Sequence, residues 1–243
     1  MPDTWVRALN IVVSVARVLL EAGRGRLAIL VDEAFQVLGS VREAAFYVKS
    51  MLGLIEYPPR SYERIVAIIA TSEGLSRREI GRHMWASVLP IWNMPRDGFR
   101  MLYEQIPGDK PGFEELWKLT GGNPRLLGEL YATGWSTEEV VDSIVASRKL
   151  RSFIATLTRE ERRWLTEAVE DPDTLFTGER AQLLGKLVEL NLVVDDIPER
   201  RSHLWIDNPP PEKDLDVGIG RYVAWQTPLH REAVRRVLEH TLH

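Results

Sequence analysis

Residues 27–33 read LAILVDE, and the reading of this heptapeptide decides the fold. Ala28, Ile29, Leu30 and Val31 run without alternation into Asp32 and Glu33. An unbroken apolar run of this length predicts a strand buried on both faces, with a carboxyl end that delivers two acids to a crevice. The same letters fit a strand that ends in an acidic cap, where the first turn of a following helix favours negative charge. Both readings contain the strand; they differ in what the acids do.

The flanking sequence extends the pattern. Upstream, Trp5, Leu9, Val12, Val13, Ala16, Leu19 and Leu20 recur at helical spacing, and Gly23 follows as a stop. Downstream, an apolar helix over about residues 40–54 gives way to Pro58 and Pro59. Residues 65–70, IVAIIA, form a second unalternated strand that ends in Thr71 and Ser72. That polar pair suits either a turn before the next helix or a pair of hydroxyls presented at the strand's carboxyl end. Residues 87–92 read as a third short strand. Helix and strand in threefold alternation predict a parallel βα architecture.

Composition sets outer limits. The 243 residues include 31 basic and 35 acidic side chains, a net charge of -4, so no global electrostatic footprint points to nucleic acid or an anionic membrane. The absence of cysteine excludes disulfides, thiol catalysis and cysteine metal sites. The apolar run 11–20 is broken by Arg17 and lacks signal-peptide flanks, and no stretch reaches the length of a membrane span. The chain is therefore expected to be soluble and cytoplasmic, without a membrane partner.

From about residue 95 the pattern becomes helical. Between two short helical segments lies Thr120-Gly121-Gly122-Asn123-Pro124-Arg125. The glycines permit a sharp turn, Asn123 suits an N-cap and Pro124 the first helical position, so Arg125 projects from a fixed first turn. Further on, Thr158 and Glu161 have capping-box spacing. Residues 148–243 then read helix, helix, strand, strand, helix, with RRSHLWID and RYVAWQ as the strands and a proline-rich loop between them.

LAILVDE, IVAIIATSEG and LTGGNPRLL, in this order, resemble the Walker B, sensor 1 and sensor 2 segments of archaeal AAA+ or STAND-type P-loop ATPases, relatives of the origin-recognition ATPases. The resemblance implies an α/β plus all-α chain: a partial RecA-like parallel αβ core over 1–94, a helical lid over 95–147 and a winged helix-turn-helix domain over 148–243. It implies ATP and Mg²⁺ as ligands, with Asp32 on the metal, Glu33 orienting water, Thr71 or Ser72 sensing the γ-phosphate and Arg125 contacting it from the lid. Arg77, Arg78 and Arg82 are the arginine-finger candidates.

The sequence departs from that family in one large respect. Nowhere does it contain G-x-x-x-x-G-K-[ST]; Gly185-Lys186 is followed by Leu187 in an apolar-periodic helix, and Gly23-Arg24-Gly25-Arg26 lacks the lysine and hydroxyl. A typical member carries roughly a hundred residues ahead of this point, by the usual size of a nucleotide-binding core. The chain is thus expected to be either a shortened form or a degenerate member, inactive as an ATPase alone. Without the P-loop strand, the 65–70 strand should find an edge partner by pairing with 87–92, by accepting a strand from a second copy or a partner protein, or by an upstream segment.

A winged helix could place its second helix in a DNA groove. Residues 148–243 hold 15 basic and 17 acidic side chains; Arg180, Lys186, Arg200 and Arg201 are a candidate local patch, while Asp195, Asp196 and Glu199 flank the expected wing. The five histidines show no metal-ligand spacing, no Ser-His-Asp arrangement is identifiable, and most tryptophans sit in apolar-periodic stretches that suit a core. Two functions follow from the sequence: an ATP-dependent switch module, or a non-catalytic regulator that binds DNA or a protein.

Overall fold

The computed structural model describes residues 2–32, 41–71 and 86–241. The chain divides into two compact units, Met1–Val88 and Leu89–His243. Among the described residues no helix is long and apolar enough to cross a membrane.

The first unit comprises α1 (Pro2–Glu21), β1 (Arg26–Asp32), α2 (Val41–Glu56) and β2 (Arg64–Ala70). The strands pair in parallel, with Arg26 opposite Arg64 and Asp32 opposite Ala70. A parallel pair needs a crossover connection, which contains α2. One face is covered: Ala16 of α1 and Tyr47, Met51 and Leu54 of α2 pack with Ile29, and Leu27, Val31, Ala67 and Ile69 complete that layer.

The opposite face differs from the two-sided burial expected of an unalternated run. Burial alternates along both strands, and Leu30 is 74% and Ile68 56% exposed. Composition makes both faces of each strand apolar, but α1 and α2 contribute to only one layer. Residues 86–92 form no strand, so the expected pairing of β2 with 87–92 does not occur. The carbonyl of Pro90 instead accepts from the amide of Ile206 at 3.2 Å.

The second unit contains α3 (Arg96–Gln105), α4 (Phe113–Thr120), α5 (Pro124–Ala132), α6 (Thr137–Ser147), α7 (Leu150–Thr156), α8 (Arg159–Glu170), α9 (Ala181–Glu189), β3 (Val193–Val194), β4 (Ala224–Trp225) and α10 (Pro228–Thr241). One core runs from Phe99 through Leu130, Val141 and Ile154 to Leu187 and Val234, so the segments before and after residue 147 share a hydrophobic interior. α8 begins with the predicted capping box, Thr158 and Glu161 each satisfying the other's backbone amide. The indole of Trp225 is buried and donates to the carbonyl of Ala168 at 3.0 Å.

Strands β3 and β4 pair antiparallel, Val193 opposite Trp225. The expected RRSHLWID strand is a short 3-10 turn at Ser202–Leu204. Side chains reinforce the backbone bonds of the connection between β3 and β4, among them the reciprocal pair of Asp214 and Ile219. Arg200 donates to the carbonyls of Pro198, Pro211, Gly220 and Arg221, while the Asp173 carboxylate accepts the amides of Arg221, Tyr222 and Val223 at 2.7, 2.8 and 3.1 Å. Burial pushes the Asp173 pKa up, but those amides and Lys213 outweigh it and hold the carboxyl below its ordinary value.

Candidate functional site

Two groups of residues carry the sequence-derived expectations, one in each unit. In the first, Asp32 closes β1 and sits in register with Ala70, the residue before Thr71. Adjacent strands lie about 4.8 Å apart, so the acid and the hydroxyl-bearing residue occupy the same carboxyl edge. Asp32 is exposed and Thr71 half-buried. The opposite edge carries Arg26 and Arg64, with Arg26 paired to Glu63 at 2.6 Å. Glu33, Ser72, Arg77, Arg78 and Arg82 lie outside the described residues.

Among the described residues no three His, Cys, Asp or Glu side chains form a metal-binding group. That donor set does not suit an all-protein cage. It does suit Mg²⁺ that keeps several waters and is held by one carboxylate together with substrate phosphates, for which an exposed Asp32 is adequate.

In the second unit the Thr120–Arg125 turn has the conformation its residues predict. Gly121 (φ 60°) ends α4 in the left-handed region and its amide donates to Trp117. Gly122 follows at φ 81°, where an added Cβ would come within 2.4 Å of the Met94 carbonyl oxygen. The amide of Met94 donates to the Gly122 carbonyl at 3.0 Å. Thr120, fully buried, accepts from the Gly122 amide and donates to the Leu116 carbonyl. Asn123 caps α5 by accepting from Leu126, and Pro124 occupies the first helical position.

The turn is also fixed to the start of α10. The Asn123 side-chain amide donates to Asn93 Oδ1 at 2.9 Å, and Asn93 donates to the Gln226 carbonyl at 3.3 Å. Gly121 lies against Pro228, whose Cδ would be 3.0 Å from an added Cβ. Arg125 emerges from this frame with its side chain 83% exposed and its Nε bonded to Glu129 at 2.9 Å.

Two residues with no motif of their own belong beside it. His230, in the first turn of α10, shares a 2.8 Å hydrogen bond through Nδ1 with the buried Thr227 hydroxyl. Burial, aided by the positive charges of Arg148 and then Arg125, pulls its pKa down to about 4. Arg148 caps the C-terminus of α6. Burial and Arg125 lower its pKa, and Glu129 opposes them. Nothing local in the sequence marks Arg148 or His230 as neighbours of Arg125.

The four cations of the expected DNA patch are engaged within the chain. Arg180 pairs with Glu167 at 2.6 Å, Lys186 with Glu161 at 3.0 Å and Arg201 with Glu199 at 2.7 Å, while Arg200 is committed to backbone carbonyls. Ion pairs of this kind lower the charge presented to a phosphate backbone.

A sequence profile for a family described as an ATPase domain predominantly from Archaea matches residues 4–130, just over half the chain. No curated protein and no solved structure shows a significant match. The matched span includes β1 with Asp32, β2 with Thr71, and the turn that presents Arg125. This chain belongs to the ATPase domain family found predominantly in Archaea.

Proposed function

We propose that this chain is a nucleotide-responsive switch module, in which Mg-ATP is held at the carboxyl edge of the β1–β2 sheet. The observation that carries the reading is the parallel register with Asp32 opposite Ala70, which sets an acid beside Thr71 on one edge. Ligands in open α/β sheets bind at that edge.

In this reading Asp32 holds Mg²⁺, Thr71 or Ser72 senses the terminal phosphate, and Glu33 orients water. Mg²⁺ supplies charge neutralisation to the phosphates. The 243 residues contain no G-x-x-x-x-G-K-[ST] motif. Binding is therefore expected without appreciable turnover. Residues 148–243, read as a winged helix, transmit the state to a partner.

That partner is better read as a protein than as DNA, because Arg180, Lys186, Arg200 and Arg201 are already bonded inside the chain. A second copy or a partner strand added beside β2 also fits this reading. The alternative, a regulator with no nucleotide, draws support from the same uncovered apolar sheet face.

Calorimetric titration of the chain with Mg-ATP separates the two. Micromolar binding that weakens at least tenfold in Asp32→Asn is the expected result. No heat in the wild type, together with a stable protein complex, overturns the nucleotide reading in favour of the regulator.

A further inference from the structure

A cavity of about 530 Å³ lies within the second unit, walled by the last turn of α4, the end of α8, the Leu215–Val217 turn and one face of α10. That volume falls inside the range of about 300–1,000 Å³ usual for small-molecule sites. Its lining is not the usual apolar one. Leu215 is its sole apolar side chain, and the others are three cations and three carboxylates. A ligand that fits must therefore be small and charged.

Most of those charges are already engaged within the chain. Arg231 donates to the carbonyls of Leu215 and Asp216, Arg235 pairs with Glu232 at 3.0 Å and with Glu170 at 3.3 Å, and Asp171 holds Lys213 at 2.6 Å. Two groups are left over. The Lys118 ammonium and the Asp216 carboxylate are exposed, and among the described residues neither forms an ion pair or a hydrogen bond. Both stand on fixed backbone. The amide of Asp216 donates to the Asp214 side chain at 3.2 Å and its carbonyl accepts from Arg231 at 2.8 Å, while the turn that ends α4 lies against Pro228 of α10. A helix dipole accounts for a lysine in the last turn of α4, but not for an uncompensated charge of each sign on the walls of one cavity.

We propose that this cavity binds a small zwitterion, a free α-amino acid with an aliphatic side chain, whose carboxylate meets Lys118, whose ammonium meets Asp216 and whose side chain lies on Leu215. Both polar ends then make charge-assisted hydrogen bonds. A dianion would find one unspent cation among three carboxylates, and a dication would face Arg231 and Arg235. The fixed backbone under both groups lowers the ordering cost of binding. The site uses neither the β1–β2 sheet nor Arg125, so it stands or falls apart from the nucleotide reading.

The test is titration of the full chain with L-valine and L-leucine, without Mg²⁺ or nucleotide, followed by backbone amide shifts in NMR. At least one of the two should bind saturably at or below about 1 mM, with the largest shifts at Lys118, Asp171, Leu215 and Asp216. Lys118→Met and Asp216→Asn should each weaken binding at least tenfold, and Asp32→Asn should leave it unchanged. N-acetyl-L-valine, which lacks the ammonium, should bind weakly and be indifferent to Asp216→Asn; L-valinamide, which lacks the carboxylate, should bind weakly and be indifferent to Lys118→Met. If Lys118→Met does not fold, L-valinamide reports on the same end of the ligand without a substitution. Absence of saturable binding by the wild type in that range overturns the proposal. So do shifts centred elsewhere, affinity unchanged in both variants, or acetate binding as tight as that of the amino acid, which would mark a simple anion site. Amino-acid binding at this cavity in a chain that shows no affinity for Mg-ATP retains the site and refutes the nucleotide reading alone.

Discussion

Replacing Gly122 with alanine puts the Arg125 turn under direct test. The backbone there has φ 81°, and an added Cβ would lie 2.4 Å from the Met94 carbonyl oxygen and 3.0 Å from the Trp117 ring. A left-handed conformation costs a Cβ-bearing residue about 1–2 kcal/mol. Relieving the overlap requires movement of backbone that is itself bonded to Gly122, since the Met94 amide donates to the Gly122 carbonyl. Overpacking of this kind costs about 1–3 kcal/mol, so Gly122→Ala should destabilise the unit by roughly 2–5 kcal/mol. For a unit of this size the melting temperature should fall by about 2–4 °C per kcal/mol. Gly128 supplies the control. It lies inside α5 with nothing within 4 Å of an added Cβ, and Gly128→Ala should stabilise by about 0.5–1 kcal/mol. Urea unfolding followed by tryptophan fluorescence measures both. A Gly122→Ala variant within about 0.5 kcal/mol of wild type, the usual range for unconstrained surface changes, would refute the account of how the turn is held.

Two further predictions concern stability. Asp173→Ala leaves the amides of Arg221, Tyr222 and Val223 without their acceptor; at about 1–3 kcal/mol for a hydrogen bond to a charged group or a buried group left unpaired, the loss should reach roughly 2–5 kcal/mol, and proteolysis should cut first within the β3–β4 connection. His230 has a folded pKa of about 4, below its unfolded value of about 6.5, so the unfolded chain binds the extra proton. Its contribution is complete above pH 6.5 and is lost as pH falls toward 4, on the order of 3 kcal/mol in all. His230→Gln should remove that part of the pH dependence in chemical denaturation measured between pH 4 and 7.

The legible features of the sequence were those in which residue type dictates backbone. Asn123-Pro124 and Thr158-x-x-Glu161 announce caps because their side chains can reach the orphan amides of a first turn, and both caps form. Ile65–Ala70 and Ala28–Val31 read as strands and are strands. Coverage was not legible: Leu30 and Ile68 are apolar and exposed, because a strand's composition records what it can be buried against, not whether this chain supplies that layer. Nor was the left-handed turn between α6 and α7, where Lys149 adopts φ 52° without a glycine or asparagine to signal it; the sequence marked only a change of pattern near Arg148. RRSHLWID fails as a strand because Arg200 gathers the surrounding carbonyls, a long-range event that β-propensity does not register. The influence of Arg148 and Arg125 on His230 is of the same kind, since α10 lies far along the chain from α5 and α6.

The proposed seat of the metal-nucleotide is the carboxyl edge of the β1–β2 sheet. Mn²⁺-ATP in place of the magnesium complex tests it through paramagnetic broadening of backbone amide signals. Six residue steps from Arg26 to Asp32, at about 3.3 Å each, separate the two ends of the sheet by about 20 Å, and the broadening falls with the inverse sixth power of distance. The account predicts that the amides of Asp32, Ala70 and Thr71 vanish first while those of Arg26 and Arg64 persist, and that Asp32→Asn abolishes the difference. Broadening centred on Arg26 and Arg64, or spread evenly along both strands, would contradict it.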